Sequence, residues 1–133
     1  MKANTASRTA QYMAFFRALE NALTEYKRLF TDNYATLCLD AGLQLAAKVS
    51  TWPLAGGFIY WLANNRGPGA LSSGIARTRY IDDLLHREIE KGIKPSIIPG
   101  AGFDTRAMRL AFLKQIPVIE IDHPDTSDFK SRS

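Results

Sequence analysis

Two short apolar runs, separated by a glycine turn, constrain the fold of this chain more than any other feature of its sequence. The runs are PSIIP at residues 95–99 and PVIEI at 117–121, and the tripeptide Gly-Ala-Gly occupies 100–102. The segment 104–113 between them has apolar residues at helical spacing. Two strands that are joined through a helix pair in parallel. The pattern therefore predicts an α/β chain with one βαβ unit at its C-terminal end.

The residues before this unit predict three further helices. Apolar side chains recur at three- and four-residue intervals over 7–27. A second helix is expected over 32–45 with Asp32 as its N-cap, and a third over 73–91. The apolar segment 53–63, PLAGGFIYWLA, is about half as long as a helix that spans a bilayer. We expect this segment to be irregular and either buried or interfacial.

The composition excludes several classes of protein. Hydrophobic residues make up 46% and charged residues 23% of the 133 residues. These proportions are typical of a globular domain and not of a disordered or coiled-coil chain. Because Cys38 is the single cysteine, the chain cannot form an intramolecular disulfide or a thiolate metal cluster, and we expect no bound metal.

Charge and the opening residues bear on partners and location. The net charge is +4, but basic residues are interleaved with acidic ones, so we expect no nucleic-acid partner. Arg8 and Arg17 interrupt the apolar core that a signal peptide would need. We therefore expect a cytoplasmic protein without a membrane partner.

The glycine turn is the place where a ligand would bind to the predicted βαβ unit. Gly100, Ala101 and Gly102 would let the backbone approach a ligand closely, and the next helix would offer free N–H groups to an anionic or polar group. An acid about 20 residues further on can accept hydrogen bonds from ribose hydroxyls. Glu120 and Asp122 stand at that spacing. The same residues also fit a simple tight turn followed by a solvated strand end.

The third glycine of a dinucleotide fingerprint is missing. In the pattern GxGxxG it would fall at residue 105, which is a threonine here. That glycine allows close packing of the strand against the helix in dinucleotide-binding folds. A nicotinamide-dependent oxidoreductase is therefore a weaker alternative, although the missing glycine does not eliminate it.

Three blocks of the sequence resemble the leucine carboxyl methyltransferase family. They are ARTRYIDDLL at 76–85, IIPGAGFDTRAMRL at 97–110 and EIDHP at 120–124. More narrowly, they resemble the bacterial branch of S-adenosylmethionine-dependent methyltransferases in that family. The segment SRTAQYMAFFRALE, followed by LFTDNYA, is similar to the opening residues of this branch. Pro99 departs from the family, which has an aliphatic residue there, but a proline is tolerated at the end of a strand.

The resemblance implies a Rossmann-like methyltransferase fold that uses S-adenosyl-L-methionine. Residues 1–72 would form a helical cap, and 73–133 would form the first, incomplete part of the cofactor-binding domain. The expected reaction is O-methyl transfer to a carboxylate or hydroxyl of a small molecule or a protein C-terminus. Because members of the family are about twice this long, we expect either an inactive fragment or a chain that a second chain completes.

The resemblance also implies roles for individual residues. The turn at 100–102 would line the methionine and ribose side of the cofactor, and Asp122, with Glu120 beside it, would hold the ribose hydroxyls. Arg77 would pair with the methionine carboxylate of the cofactor, since a guanidinium binds a carboxylate through two parallel hydrogen bonds. A basic residue in the opening segment of the family binds the same carboxylate, and Arg8 is a loose match to it.

No residue of the chain is assigned a catalytic role. Asp104, Thr105 and Arg106 are expected to support the turn, Asp104 by capping the following helix. His86 is expected on a helix surface, and His123 does not form an acid–base pair by itself. The main alternative to an enzyme is a non-catalytic remnant or interaction module that associates through the segment 53–63.

Overall fold

The computed structural model describes residues 8–94 and 96–132. Within these ranges the chain is mixed α/β and mostly helical, with one small parallel sheet. Ser7 and Pro95, with which the first predicted helix and strand begin, lie outside the described residues. The elements in chain order are α1 Arg8–Asn21, α2 Ala41–Val49, α3 Pro53–Arg66, α4 Ala70–Glu90, β1 Ser96–Pro99, α5 Arg106–Arg109, β2 Val118–Ile121 and α6 Pro124–Arg132.

The two strands pair in parallel, which confirms the predicted βαβ unit. Ser96 stands opposite Val118, and Pro99 stands opposite Ile121. Pro99 is the last residue of β1, so its missing N–H lies at the end of the ladder and not in its centre. The glycine turn follows at once, at the carboxyl end of the strand.

The core lies between α1 and the elements that surround it. Ala14, Ala18 and Leu19 of α1 are buried, as the apolar stripe predicts. Gly74 lets α4 pack closely against α1, because a Cβ at this position would lie 2.9 Å from the Cε of Met13. Phe103, which follows the glycine turn, belongs to the same buried cluster as the buried residues of α1. The helical part of the chain therefore packs against the segment after the turn.

The predicted boundaries of the first two helices are wrong. α1 ends at Asn21 because the Asn21 side chain bonds to the backbone of Asp32, accepting from its N–H at 2.9 Å and donating to its carbonyl at 2.7 Å. Asp32 is not an N-cap of an α-helix. That role belongs to Asp40, whose carboxylate accepts a hydrogen bond from the N–H of Leu43 at 2.9 Å, and α2 begins one residue later, at Ala41.

The segment expected to be irregular forms the helix α3. Pro53 stands at its first position, where the missing N–H costs no helical hydrogen bond. Of the two expected environments, burial is wrong and the interfacial one stays a prediction: α3 has no buried residue, and its outward face carries Leu54, Phe58 and Trp61. The rings of Phe58 and Trp61 stack with their centroids 5.9 Å apart. In the described part of the chain, no helix has the length and apolar character needed to cross a membrane.

The helix between the strands is shorter than predicted. It ends at Arg109 because Leu110 adopts an extended conformation, and a short 3-10 turn over Ala111–Leu113 follows. The pattern did not predict α6, which begins with Pro124 directly after β2. The long helix α4 begins at Ala70, three residues before its predicted start, because Gly69 reverses the chain there in a left-handed conformation.

Candidate cofactor-binding site

A cleft of about 650 Å³ opens at the carboxyl end of β1. Its walls come from one face of α1, from one face of α4 and from the glycine turn. Five residues that were predicted to bind a cofactor line this cleft: Arg77, Gly100, Ala101, Gly102 and Asp122. They come from three separate parts of the sequence, and the fold brings them together.

The turn depends on its two glycines. Gly100 has φ +62° and Gly102 has φ +54°, a region that other residues enter only at a cost. The backbone N–H of Ala101 donates to the carbonyl of Ile121 at 3.2 Å, which holds the turn against the end of β2. A Cβ at Gly102 would lie 3.3 Å from the Cβ of Ala10, so the absence of a side chain also allows α1 to approach.

Asp122 lies half-buried at the mouth of the cleft. Its Oδ2 accepts a hydrogen bond from the backbone N–H of Gly102. Its Oδ1 accepts from the N–H of His123 at 2.6 Å. Because each carboxylate oxygen has two lone pairs, both oxygens retain the capacity to accept one more hydrogen bond. The carboxylate is therefore fixed in position and still able to bind hydroxyl groups.

Arg77 lies on α4 in the wall of the cleft, and its side chain is exposed. Its Nη2 lies 3.9 Å from the sulfur of Met13, a weak acceptor. Among the residues that the structure describes, no carboxylate forms an ion pair with it. An unpaired guanidinium in a cleft is suited to an anionic ligand group.

Two predicted site residues lie away from the cleft. Arg8 donates a hydrogen bond to the hydroxyl of Tyr12 at 3.4 Å, and this bond raises the pKa of its guanidinium. The Glu120 carboxylate is paired with Lys130 of α6 at 2.5 Å. Neither residue lines the cleft, whereas Asp122 does.

The two histidines also lie outside the cleft. His86 is exposed on α4 and packs edge-on against Phe112, with 4.8 Å between ring centroids. His123 is exposed, and its Nδ1 accepts a hydrogen bond from the N–H of Asp125 at 3.3 Å. Within the described ranges, no cluster of three or more histidine, cysteine or acidic side chains is placed to hold a metal.

The residues after the glycine turn form ion pairs with α4. Oδ1 of Asp104 accepts from the N–H of Arg106 at 2.8 Å, although the N-cap residue of α5 is Thr105. The Nε of Arg106 lies 2.7 Å from Oδ1 of Asp82. Arg109 reaches the other oxygen of the same carboxylate at 2.6 Å. Asp104 and Arg106 therefore support the turn, as the sequence predicts.

A second group of bonds links the turn to α1. Thr105 was expected to support the turn, but the roles of Arg17 and Asp32 were not predicted. Arg17 donates from Nε to the carboxylate of Asp32 at 2.8 Å and from Nη2 to the carbonyl of Phe103 at 2.5 Å. The hydroxyl of Thr105 donates to the same Asp32 oxygen at 2.5 Å. The available signal was an arginine inside the apolar stripe of α1, because a charged residue is rarely buried unless it is paired.

These contacts join the blocks of sequence that carry the family resemblance. Asp32 lies in LFTDNYA, and Asp82 lies in ARTRYIDDLL. Thr105, Arg106 and Arg109 lie in IIPGAGFDTRAMRL. In the fold the blocks meet at one buried set of ion pairs behind the glycine turn. Residues of these separate sequence blocks therefore pack together in one part of the structure.

Comparison with known proteins agrees with this reading. The family model described as leucine carboxyl methyltransferase matches residues 10–133. A protein of Frankia alni is 34% identical over 92% of this chain and 40% of its own length. A protein of Mycobacterium bovis BCG is 34% identical over 97% of this chain and 42% of its own length. One from Mycobacteroides abscessus is 36% identical over 92% of this chain and 39% of its own length.

All three relatives bear the name "Putative S-adenosyl-L-methionine-dependent methyltransferase". The chain spans about 40% of the length of the relatives that it matches. The match to the family model nevertheless includes α1, both strands, the glycine turn and Asp122. This chain belongs to the leucine carboxyl methyltransferase family.

Proposed function

We propose that this chain binds S-adenosyl-L-methionine and forms the cofactor-binding part of a methyltransferase. The observation that carries the proposal is the convergence of Arg77, the glycine turn and Asp122 on one cleft. The names of the relatives support the same cofactor. The proposed reaction is O-methyl transfer to a carboxylate or hydroxyl of a small molecule or of a protein C-terminus.

The residues of the cleft fit this cofactor. Asp122 has acceptor capacity for the ribose hydroxyls, and Arg77 has an unpaired guanidinium for the methionine carboxylate. Gly100 has open space beside it, since a Cβ there would meet nothing within 4 Å. The cleft volume lies inside the range of about 300–1,000 Å³ that is common for small-molecule sites.

For methyl transfer, the chain would have to bind the cofactor and fix its orientation. When bound, S-adenosyl-L-methionine supplies a methyl group on a sulfonium that is open to in-line attack. Arg77 would hold the methionine part of the cofactor and Asp122 its ribose, which fixes its orientation and lowers the entropic part of the barrier. A carboxylate acceptor is already an anion at neutral pH, so the reaction would need no general base from this chain.

The fold that we propose for the complete domain contains more strands than the two that the structure describes. We propose that 73–133 form the first part of a Rossmann-like domain and that 1–72 form a cap over it. Ile97, Ile119 and Ile121 leave an apolar face of the sheet more than half exposed. Parallel sheets are normally covered on both faces and contain more than two strands. The exposed apolar face supports the proposal that a second chain, or further sequence, completes the fold. We also propose a cytoplasmic location, with which a single cysteine is compatible.

Calorimetric titration with S-adenosylhomocysteine tests the proposal. The wild-type chain should bind this product, and Asp122→Asn should weaken binding by about tenfold or more because it removes a charged acceptor. Glu120→Gln is the matched control, since Glu120 is an acid at the same strand end that pairs with Lys130 outside the cleft. A folded wild-type chain that binds NADH but not S-adenosylhomocysteine would support the oxidoreductase alternative instead.

Arg77 and Arg8 separate the two predicted contacts to the methionine carboxylate. We expect Arg77→Gln to weaken binding by about tenfold, since it removes a charge-assisted contact in the cleft. Arg8→Gln should leave the affinity unchanged, because Arg8 bonds to Tyr12 outside the cleft. Equal losses from both variants would mean that a general positive potential, and not a direct contact, attracts the ligand.

The outward face of α3 favours a second candidate function, an interaction module. Leu54 is 94% exposed, and the stacked pair Phe58 and Trp61 lies on the same face. Such a patch favours association because it removes apolar area from water. This function would be supported if the mass measured by sedimentation rises with protein concentration and Leu54→Gln keeps the protein monomeric. The wild-type chain should then also fail to bind S-adenosylhomocysteine.

A further inference from the structure

We propose that Arg17 is a positioning residue that sets the conformation of the glycine turn from outside the βαβ unit. Its guanidinium bridges Asp32 and the carbonyl of Phe103, the residue directly after Gly102. The proposal rests on the proposed function in so far as the turn binds the cofactor. Arg17 would act on the ligand through the turn.

The position of Arg17 is itself fixed. Its side chain is 10% exposed and lies on α1, in the wall of the cleft. Nε and Nη2 are both engaged, so the planar fork of the guanidinium defines the spacing between Asp32 and the Phe103 carbonyl. A lysine has a single charged nitrogen on a flexible stem and cannot reproduce this fork.

Asp32 is a rigid partner for this fork. It is fully buried, and its backbone is bonded on both sides by the Asn21 side chain. Its Oδ1 accepts from the N–H of Tyr34 at 3.1 Å, while Oδ2 accepts from Arg17 and from the hydroxyl of Thr105. A buried carboxylate needs such partners, because it would otherwise lose its hydration without compensation.

Together these bonds hold the chain on both sides of Asp104. The Phe103 carbonyl is bound by Arg17, and the Thr105 hydroxyl is bound by Asp32. The segment that they hold begins one residue after Gly102, whose left-handed backbone is costly to maintain if the flanking residues are free to relax. Arg17 and Asp32 thus add a constraint on the turn from the α1 side, beside those that the strands and the ion pairs with α4 provide.

The test compares two arginines with the same bonding pattern. Arg17→Lys removes the fork at the turn. Arg79→Lys is the matched control, since Arg79 also bridges a carboxylate and a backbone carbonyl, those of Asp83 and Leu29, but does so away from the cleft. Hydrogen exchange of the full chain is measured at the turn amides that are bonded, those of Ala101, Gly102 and Asp104. Titration with S-adenosylhomocysteine is measured on the same samples.

We expect Arg17→Lys to accelerate exchange at the turn amides by about tenfold while the amides of α4 keep their wild-type rates. Affinity for S-adenosylhomocysteine should fall by a similar factor, and Arg79→Lys should change neither quantity. Unchanged turn exchange in Arg17→Lys, or equal acceleration throughout the chain, would overturn the proposal. If the wild-type chain binds no S-adenosylhomocysteine, the proposed function fails, and the exchange data alone still decide whether Arg17 positions the turn.

A second pair of variants covers the case in which Arg17→Lys does not fold. Thr105→Val removes the hydroxyl that bonds to Asp32 at nearly constant volume, and Thr105→Ser retains it. Faster turn exchange in Thr105→Val, restored in Thr105→Ser, is the expected result. Equal exchange in the two variants would contradict a positioning role for the Asp32 contacts.

Discussion

Arg106 and Asp82 form an ion pair across the interface between the glycine-turn segment and α4, with 2.7 Å between Nε and Oδ1. Arg109 joins the same carboxylate at 2.6 Å, so one acid of α4 holds two arginines of the segment that follows the turn. All three side chains are nearly buried. Without the charge of Asp82, Arg106 would keep only Asp104 and Arg109 would keep only the 3.9 Å contact to Asp32, so two nearly buried cations would each lose a carboxylate partner.

We therefore predict that Asp82→Asn lowers the free energy of unfolding by about 2 kcal/mol, because the two nearly buried arginines are then only partly compensated by Asp104 and Asp32. Asp83→Asn is the matched control, since the neighbouring Asp83 forms an exposed ion pair with Arg79 and should cost less than about 1 kcal/mol. Urea unfolding followed by circular dichroism measures both. Similar losses in the two variants would contradict the assigned role of Asp82.

The two glycines of the turn should differ in their sensitivity to substitution. Gly100→Ala meets no neighbour and should cost only the left-handed conformation, about 1 kcal/mol. Gly102→Ala carries the same conformational cost and also brings a Cβ to 3.3 Å from Ala10. We expect the larger loss of stability at Gly102, measured by urea unfolding, together with a loss of affinity for S-adenosylhomocysteine. The reverse order would show that the turn does not pack against α1.

Adjacent glycines in α3 should respond with opposite signs. A Cβ at Gly56 would lie 2.3 Å from the backbone oxygen of Ser50, so Gly56→Ala must displace the link between α2 and α3. We expect it to destabilise the fold by about 2 kcal/mol. Gly57→Ala meets nothing within 4 Å and should stabilise the helix by about 0.5–1 kcal/mol. Thermal unfolding of the two variants is the measurement, and equal shifts in Tm would refute the packing at Gly56.

Cys38 should make stability depend on pH in the alkaline range. Burial raises the pKa of its thiol above the ordinary value. The unfolded chain therefore loses the thiol proton at a lower pH than the folded chain does. Stability is fully present below the ordinary thiol pKa and falls as the pH rises from there through the folded pKa.

Urea unfolding at a series of pH values, from neutral upward, checks the effect of Cys38. Cys38→Ala should flatten the first part of the decline, because the variant has no thiol to titrate. Tyr60 is retained in both proteins as an internal reference, since burial also raises the pKa of its hydroxyl and contributes at higher pH. Identical pH profiles with and without the thiol would contradict the prediction.

Much of the candidate site could be predicted because its signals are local. The left-handed backbone conformation favours glycine, so Gly100 and Gly102 indicated a turn with positive φ before any contact was known. Apolar runs of four or five residues on either side of a helical segment indicated parallel strands, which the register confirms. Arg77 and Asp122 were predicted from the resemblance, and the structure places both at the cleft.

Other assignments failed where a local pattern was compatible with two outcomes. Asp32 has the residue type of an N-cap, but its carboxylate is used by Thr105, which is 73 positions away in the sequence. Glu120 and Asp122 stand equally close to the end of β2, and their separation into different environments depends on Lys130 of α6, a helix that the pattern did not predict. The spacing from the glycine turn did not distinguish the two acids, and only the family resemblance favoured Asp122.

The amino-acid sequence by itself determined the element types near the turn, the conformation of its glycines and the family to which the chain belongs. These properties depend on backbone sterics and on short motifs, which are readable within a few residues. Only the tertiary structure decided that Arg17 and Asp32 hold the turn, that Glu120 is engaged by Lys130, and that the aromatic face of α3 points outward. The physical reason is that burial and ion pairing depend on which distant residues arrive at the same place, and this is set by the packing of the whole chain.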